Sequence, residues 1–191
     1  MTALFTQETQ AFFWNNNTKA IQRMLDYDYT CGRQTPSISA IIHPSSALSF
    51  GKFFFGNQEI MIPIYKSTIV AAAENKQTTT LLNFASFRTA YEVTKTALSI
   101  KSIKTIMITA EGIPERLARE LYVLGKKNNV TIIGPATVGA ITPGCFKTGN
   151  IGGSIDRIIK SKLHKQGSAG LVTRSGGLFN ELANIIAMNG D

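Results

Sequence analysis

The stretch AFFWNNNTKAIQRMLDYD, residues 11–28, decides the fold class. AFFW is a short apolar run, which is typical of a buried strand. The asparagines that follow form a polar turn, and Asn17 or Thr18 is a natural helix N-cap. Beyond the turn, apolar residues recur at helical spacing: Ala20, Ile21, Met24 and Leu25. The stretch therefore predicts a strand, a turn and a helix in succession.

The same alternation continues along the chain. Further strands are predicted at Ser37–Ile42, Thr79–Phe84, Thr105–Thr109, Val130–Ile133 and Ser168–Thr173. Helices are predicted at Thr68–Asn75 and after Ser86, Pro114 and Gly177, and FGKFFFGNQEIMIPIY predicts a hairpin or an extended excursion. The strands are continuous apolar runs, as a parallel sheet covered on both faces requires. The predicted fold is α/β, with a doubly wound, mostly parallel sheet.

Composition limits the classes of function. The chain has 191 residues, of which 43% are hydrophobic and 17% charged, as in an ordinary folded domain. Its net charge of +8 favours a polyanionic partner, whether nucleic acid, anionic lipid or a phosphate-rich small ligand. No segment resembles a secretion signal or a membrane span. The two cysteines, Cys31 and Cys145, form no metal-ligand spacing, and their number indicates a cytoplasmic protein without a disulfide framework.

Ligands of such folds bind beyond the carboxyl ends of the strands. Five loops are expected there: Asn15–Lys19, His43–Lys52, Phe84–Thr89, Ala110–Pro114 and Arg174–Gly177. They supply helix N-termini and cations, which suits a ligand with several phosphates. The first loop has no G-x-G-x-x-G, which counts against an ordinary NAD or FAD site. A plain turn remains an alternative for this loop.

Single residues within these loops leave alternatives open. Arg88 falls in the first turn of a predicted helix, where it opposes the helix dipole; an anionic ligand would explain it, and a surface salt bridge is the alternative. Glu111 is a helix cap or an acid in the site. Ser175 lacks a nucleophile elbow. His43 and His164 fit no triad or metal site, so no catalytic residue and no metal ligand is predicted.

Several motifs carry a family resemblance. They are NFASFR (83–88), AEGIP (110–114), IIGPATVG (132–139), PGCFK (143–147) and RSGGLFNE (174–181), together with QRMLDYDYTCGRQTP (22–36). In order and spacing they resemble the ATP citrate lyases, in the region similar to the α subunit of succinyl-CoA synthetase. The start near LFTQETQAFFW resembles the C-terminal-half subunit of two-subunit enzymes. The likeness covers nearly the whole chain.

The resemblance implies three segments. Residues 1–150 would form a Rossmann-like domain that binds coenzyme A (CoA), and residues 151–166 a linker. Residues 167–191 would be the first strand and helix of a flavodoxin-like ligase domain. Enzymes of this family form acetyl-CoA and oxaloacetate from citrate, CoA and ATP, through a phosphohistidine, citryl phosphate and citryl-CoA. The resemblance further implies a partner ATP-grasp subunit or half, which holds ATP and Mg²⁺, and an oligomeric complete enzyme.

Site residues follow from the matching motifs. The expected CoA contacts are Thr18, Lys19, Pro44, Lys52, Phe84, Ser86, Arg88, Thr89, Thr109, Ala110 and Glu111. Ser175, Gly176 and Gly177 match the helix start that receives the phosphoryl group, and Asn180 lies where the synthetases place a substrate-side tyrosine. Thr18 and Lys19 fall where the synthetases have a glycine-rich loop that is longer than the one here.

One departure from the family concerns the phosphorylated histidine. The family carries it in a G-H-A-G-A motif, which this chain lacks. We therefore expect a fragment that is inactive alone. The alternatives are a citryl-CoA synthetase, an α-type subunit of succinyl-CoA synthetase, an NAD(P)-binding oxidoreductase domain or, on charge alone, a nucleic-acid-binding module.

Overall fold

A computed structural model describes residues 4–190 and shows an α/β fold around one large sheet. The strands are β1 (Ala11–Trp14), β2 (Ile38–Ile42), β3 (Phe50–Phe55), β4 (Gln58–Tyr65), β5 (Thr80–Asn83), β6 (Thr105–Ile108), β7 (Thr131–Ile133), β8 (Ile141–Thr142) and β9 (Phe146–Lys147). The helices are α1 (Thr18–Thr30), α2 (Thr68–Glu74), α3 (Ala90–Leu98), α4 (Glu115–Lys127), α5 (Ile155–Lys160) and α6 (Gly176–Met188).

The seven-stranded sheet has the order β3-β4-β2-β1-β5-β6-β7. All its pairings are parallel except β3 with β4, which form an antiparallel hairpin at one edge. The predicted doubly wound, mostly parallel sheet is confirmed, and of the two readings of residues 50–65 the hairpin is correct. Strands β8 and β9 form a separate two-stranded sheet.

Helices cover both faces of the sheet, which explains why the strands are apolar throughout. On one face, α1 and the β8–β9 hairpin pack over Phe13, Ile41 and Met107. On the other face, the residues of α3 and α4 pack with Phe12, Leu81 and Ile106. Phe12 and Phe13 are both completely buried, one in each layer. Side chains that alternate along β1 thus serve the two layers of the core.

Two local predictions need correction. Ser168–Thr173 is not a strand: within the described chain no neighbouring strand pairs with it, and Val172 is fully exposed. An extended apolar run becomes a strand only where a neighbour supplies backbone partners. The helix predicted to start beside Ser86 begins at Ala90, because the carbonyl of Ser86 accepts the amides of Thr89 and Ala90 in a preceding turn.

Residues 141–163 are tied to the end of α1. The Tyr27 hydroxyl donates to the Leu163 carbonyl at 2.9 Å, and Arg33 donates to the Cys145 carbonyl at 3.0 Å. Arg33 also lies beside Asp28, with 3.6 Å between Nε and Oδ1, and both side chains are about 1% exposed. Helix α5 falls in the range expected to be a linker. The three-segment division stays a prediction.

Residues 4–190 contain neither a candidate membrane span nor a candidate metal cluster. None of their helices is both long and apolar enough to cross a membrane. They also contain no group of three or more His, Cys, Asp or Glu side chains arranged to hold a metal ion. Both cysteines are free thiols.

Candidate functional site

The topology points to one place at which a ligand would bind. Strand β1 is flanked by β2 on one side and by β5 on the other, so the chain winds outward in opposite directions from it. In doubly wound sheets the loops that leave two such strands diverge, and the crevice between them is the usual ligand site; it lies at the carboxyl edge, where the parallel strands end. The loops after β1 and β5 hold Asn15–Lys19 and Phe84–Thr89, two of the five predicted site segments.

Two hydrogen bonds, one from a side chain and one between backbone groups, join the bases of the two loops. Asn15 has a positive φ of 82°, and its Nδ2 donates to the Phe84 carbonyl at 3.3 Å. The Phe84 amide in turn donates to the Trp14 carbonyl. Asparagine tolerates this left-handed conformation better than most residues. The asparagine-rich turn thus locks the mouth of the crevice, which is a more specific role than that of a plain turn.

Helix α1 begins directly at this crevice. The side chain of Asn17 accepts the amide of Ala20, so the predicted N-cap is confirmed as Asn17. Within the described structure, the amides of Thr18 and Lys19 donate to no protein acceptor. Both residues are exposed. Free amides at the positive end of a 13-residue helix favour an anion.

Asn83 organises the loop after β5. Its side chain is completely buried, and its Nδ2 donates to the Ala90 carbonyl at 2.9 Å and to Thr94 Oγ1 at 3.0 Å. Its Oδ1 accepts the amide of Ala85 at 3.0 Å. This amide therefore uses both its donor and its acceptor groups to hold the loop against α3. In the sequence Asn83 stands out only as part of a motif, and the signal for its structural role is that a polar residue ends an apolar strand.

Ser86, Arg88 and Thr89 occupy the exposed turn that this loop makes before α3. The hydroxyl oxygens of Ser86 and Thr89 are 3.4 Å apart. The Arg88 guanidinium lies over the ring of Phe87, 5.3 Å from its centroid. No acidic side chain pairs with Arg88 in residues 4–190, so the alternative of a surface salt bridge is not supported.

The loop after β6 lies next to the loop after β5 at the carboxyl edge. The Thr109 hydroxyl donates to the Asn83 carbonyl at 3.1 Å, which joins this loop to the one after β5. Ala110 is buried and its carbonyl accepts the amide of Ala136, whereas Glu111 is exposed. Gly112 has a φ of +78°, which favours glycine. Of these residues, Glu111 is exposed and Thr109 is half-buried.

The three other predicted CoA contacts have different surroundings. Lys52 is in β3, and its Nζ is 3.5 Å from a Glu59 carboxylate oxygen on the hairpin. Phe84 stacks on Phe13 in the core, with ring centroids 4.4 Å apart. Pro44 is exposed in the loop after β2.

The residues predicted to receive a phosphoryl group lie at the start of α6. Ser175 is its N-cap and accepts the amide of Leu178. A Cβ added to Gly176 would lie 3.7 Å from Val138, so this helix start faces the loop that follows β7. Asn180, one turn later, lines a cavity of about 130 Å³ beside Arg157 and Glu181.

A larger apolar groove lies elsewhere. It has a volume of about 720 Å³ and runs between residues 161–172 and α6, lined by Leu171, Phe179 and Ala183 among others. None of the predicted CoA contacts borders it. Its walls are mainly apolar, although Lys162 and Lys165 border it, and this makes it a poor match for the anionic ligand that the sequence predicts.

Known proteins with similar sequences share one name. A probable ATP-citrate synthase subunit 1 from Schizosaccharomyces pombe is 48% identical over 188 residues, 98% of this chain and 31% of its own length. The human ATP-citrate synthase is 47% identical over 190 residues and is covered to 17%. ATP-citrate synthase beta chain protein 1 from Arabidopsis thaliana is 47% identical over 184 residues. No protein-family model matches the chain.

A solved structure decides the assignment. ATP citrate lyase from Methanothrix soehngenii, in complex with citrate and coenzyme A, is 46% identical and superposes with a TM-score of 0.95 over 98% of this chain. This chain is homologous to one region of ATP citrate lyase. The resemblance seen in the motifs is thereby confirmed, and the fold is that of this region.

The ATP citrate lyase homologues are much longer than this chain. The chain spans 31% of the fission yeast sequence, 17% of the human one and 30% of the Methanothrix chain. A dinucleotide-forming acetyl-coenzyme A synthetase from Ca. Korarchaeum cryptofilum superposes with a TM-score of 0.58 at 12% identity, which shows a shared fold only.

Proposed function

We propose that the crevice at the carboxyl edge binds coenzyme A and that the chain is the CoA-binding region of an ATP citrate lyase. The observation that carries the proposal is the Methanothrix relative, an ATP citrate lyase in complex with citrate and coenzyme A that superposes at a TM-score of 0.95. A second ATP citrate lyase structure, from Methanosaeta concilii, holds (3S)-citryl-CoA.

The geometry of the crevice supports this ligand. CoA carries three phosphates, and the crevice has the free amides at the start of α1 on one side. On the other side stands Arg88, which no carboxylate neutralises in the described structure. Guanidinium groups and free helix N-termini are the two protein groups that best bind phosphate oxygens.

We assign the contacts on that basis. Thr18, Lys19, Ser86, Arg88 and Thr89 line the mouth and would contact the phosphates. Thr109, Ala110 and Glu111 would line the path of the rest of the ligand. Lys52 would reach a phosphate only by leaving Glu59, and an exposed ion pair of this kind contributes no more than about 1 kcal/mol. Phe84 would act by supporting the loop after β5. Pro44, in the loop after β2, would bound the site.

The complete enzyme would form acetyl-CoA and oxaloacetate from citrate, CoA and ATP. In that reaction this region would present the CoA thiol, while Ser175, Gly176 and Gly177 would receive a phosphoryl group at the start of α6, with Asn180 on the substrate side. A partner ATP-grasp half would hold ATP and Mg²⁺. We further propose an oligomeric enzyme and, from the two free thiols, a cytoplasmic one.

Calorimetric titration of the chain with CoA tests the proposal. We expect saturable binding, and Arg88→Ala should weaken it by about 1.5–3 kcal/mol because a charge-assisted hydrogen bond is lost. Arg116→Ala, which removes an exposed cation from α4, is the matched control and should leave the affinity unchanged. Binding of NADH in place of CoA would instead support the oxidoreductase alternative. No binding at millimolar CoA would contradict the proposal for this chain.

A further inference from the structure

The side chain next to Arg88 has no assigned role in the site. Phe87 lies in the same exposed turn, and 48% of its surface is accessible, which is high for a phenylalanine. Its ring is 5.3 Å from the Arg88 guanidinium carbon, measured to the ring centroid. Within residues 4–190 this ring is the one group that the structure records in contact with the guanidinium. An exposed arginine without such a partner would sample many rotamers.

The ring itself is held between two loops. A Cβ added to Gly112 would lie 4.0 Å from Phe87 Cγ, so the ring rests over the turn that follows β6. That turn depends on glycine, with a φ of +78°. Phe87 therefore connects the loop after β5 with the loop after β6, and it forms a platform beneath the guanidinium.

The contact with the Phe87 ring matters for Arg88 because the dipole of α3 acts on the guanidinium at this point. Arg88 precedes α3, whose N-terminal end repels a cation. In the absence of a ligand, the face of the Phe87 ring therefore stabilises the guanidinium, because a ring face attracts cations electrostatically. The same contact keeps the charge near the mouth of the crevice while leaving its N–H groups free to donate.

We propose that Phe87 is a positioning residue, which holds Arg88 ready for the phosphate monoester of CoA and so helps the chain to distinguish CoA from dephospho-CoA. The inference rests on the proposed CoA site. The 3′-phosphate is the target because a monoester carries nearly two negative charges near neutral pH, and a guanidinium binds it in a bidentate manner. Phe87 touches no phosphate itself and acts through Arg88.

Four variants of the chain test this role: Phe87→Leu, Phe87→Tyr, Arg88→Gln and the Phe87→Leu/Arg88→Gln pair. Leucine keeps apolar bulk but loses the ring, whereas tyrosine keeps the ring. We expect Phe87→Leu to weaken CoA binding by about two- to fivefold, the range for an exposed cation–π contact, with dephospho-CoA affinity unchanged. Phe87→Tyr should match the original chain. In the Arg88→Gln background, Phe87→Leu should have no further effect.

The outcomes separate this inference from the proposed function. Equal weakening of CoA and dephospho-CoA by Phe87→Leu, or additive losses in the double variant, would overturn the positioning role. CoA binding that depends on Arg88 but is indifferent to Phe87→Leu would overturn it too, while leaving the CoA site intact. Absence of CoA binding by the unmodified chain would overturn the proposed function and this inference together.

Discussion

At the scale of single residues, the site depends on amide side chains more than on charged ones. Asn15, Asn17 and Asn83 each bond to backbone groups, and together they shape both loops of the crevice. Two exposed charged residues, Lys19 and Arg88, lie in the segments that these hydrogen bonds shape. Amides can satisfy a donor and an acceptor at once without the cost of burying a charge.

Asn83 gives the sharpest prediction at this scale. Asn83→Ala removes three hydrogen bonds from a completely buried position, which leaves the Ala85 amide without its acceptor, whereas the Ala90 carbonyl keeps the Thr94 hydroxyl as a donor. We expect the free energy of unfolding to fall by about 2–3 kcal/mol. Urea unfolding measures this value. Asn128→Ala removes an exposed amide that bonds only to the Leu124 carbonyl, and it should cost less than about 1 kcal/mol. Equal effects of the two substitutions would contradict the role of Asn83.

Residue types in the sequence predicted part of the site. A polar turn after an apolar strand was enough to place Asn17 and Thr18 at the start of α1. The position of Lys52 could not be predicted in the same way, because it depends on the register of the hairpin, where Lys52 lies opposite Met61. Register is set by the turn and by packing, which a motif match does not contain.

At the scale of elements, the β8–β9 hairpin is the part that sequence patterns missed. Its strands have two residues each, and Phe146 and Lys147 are completely buried. Lys147 Nζ donates to the Gly149 carbonyl at 2.8 Å and to the Ile151 carbonyl at 3.1 Å. A buried lysine contradicts the usual pattern, and its carbonyl partners are contributed by a loop whose conformation the sequence does not reveal.

Lys147 makes stability depend on pH. Burial lowers the pKa of its ammonium group to about 8, below the ordinary 10.5. Between these values the unfolded chain binds more protons than the folded one, so the free energy of unfolding should rise as pH increases from 8 to 10.5. The rise should be on the order of 3 kcal/mol.

Thermal or urea unfolding at several pH values checks this slope against a variant. Lys147→Met removes the titrating group. From pH 8 to 10.5, the free energy of unfolding of the original chain should therefore rise relative to that of the variant. Lys126→Met, at an exposed position in α4, is the control and should show no such change. Parallel pH profiles for the original chain and Lys147→Met would contradict the depressed pKa.

The presence of a neighbouring strand explains which apolar runs of the sequence became strands. Each apolar run from β1 to β7 pairs with a neighbouring strand, whereas residues 168–173 belong to neither of the two sheets in the described chain. An apolar run indicates that a segment can enter a sheet, but the neighbour decides whether it does. The same residues border the apolar groove beside α6, whose Leu178, Ile185 and Met188 are exposed.

At the scale of the whole molecule, the order of the strands explains the location of the site. The winding reverses at β1, and the loops after β1, β5 and β6 meet at one edge. Their contacts run from Asn15 to Phe84 and from Thr109 to Asn83, so the three loops form one connected wall. The fold class could be predicted from alternating strands and helices, whereas the strand order that places the reversal at β1 could not. The identity of the ligand could not, because phosphate-binding helix ends serve many phosphorylated ligands.

The central claim is that CoA lies in this crevice, and amide hydrogen exchange with and without CoA tests it most directly. We predict slower exchange on CoA binding at residues 15–19, 84–89 and 109–112, where ligand contacts would cover or stabilise the backbone amides. Dephospho-CoA should give weaker protection around Arg88, and the hairpin tip at residues 55–58 should not change. Protection confined to α6 and residues 161–172, or saturating CoA without protection at the three loops, would contradict the account.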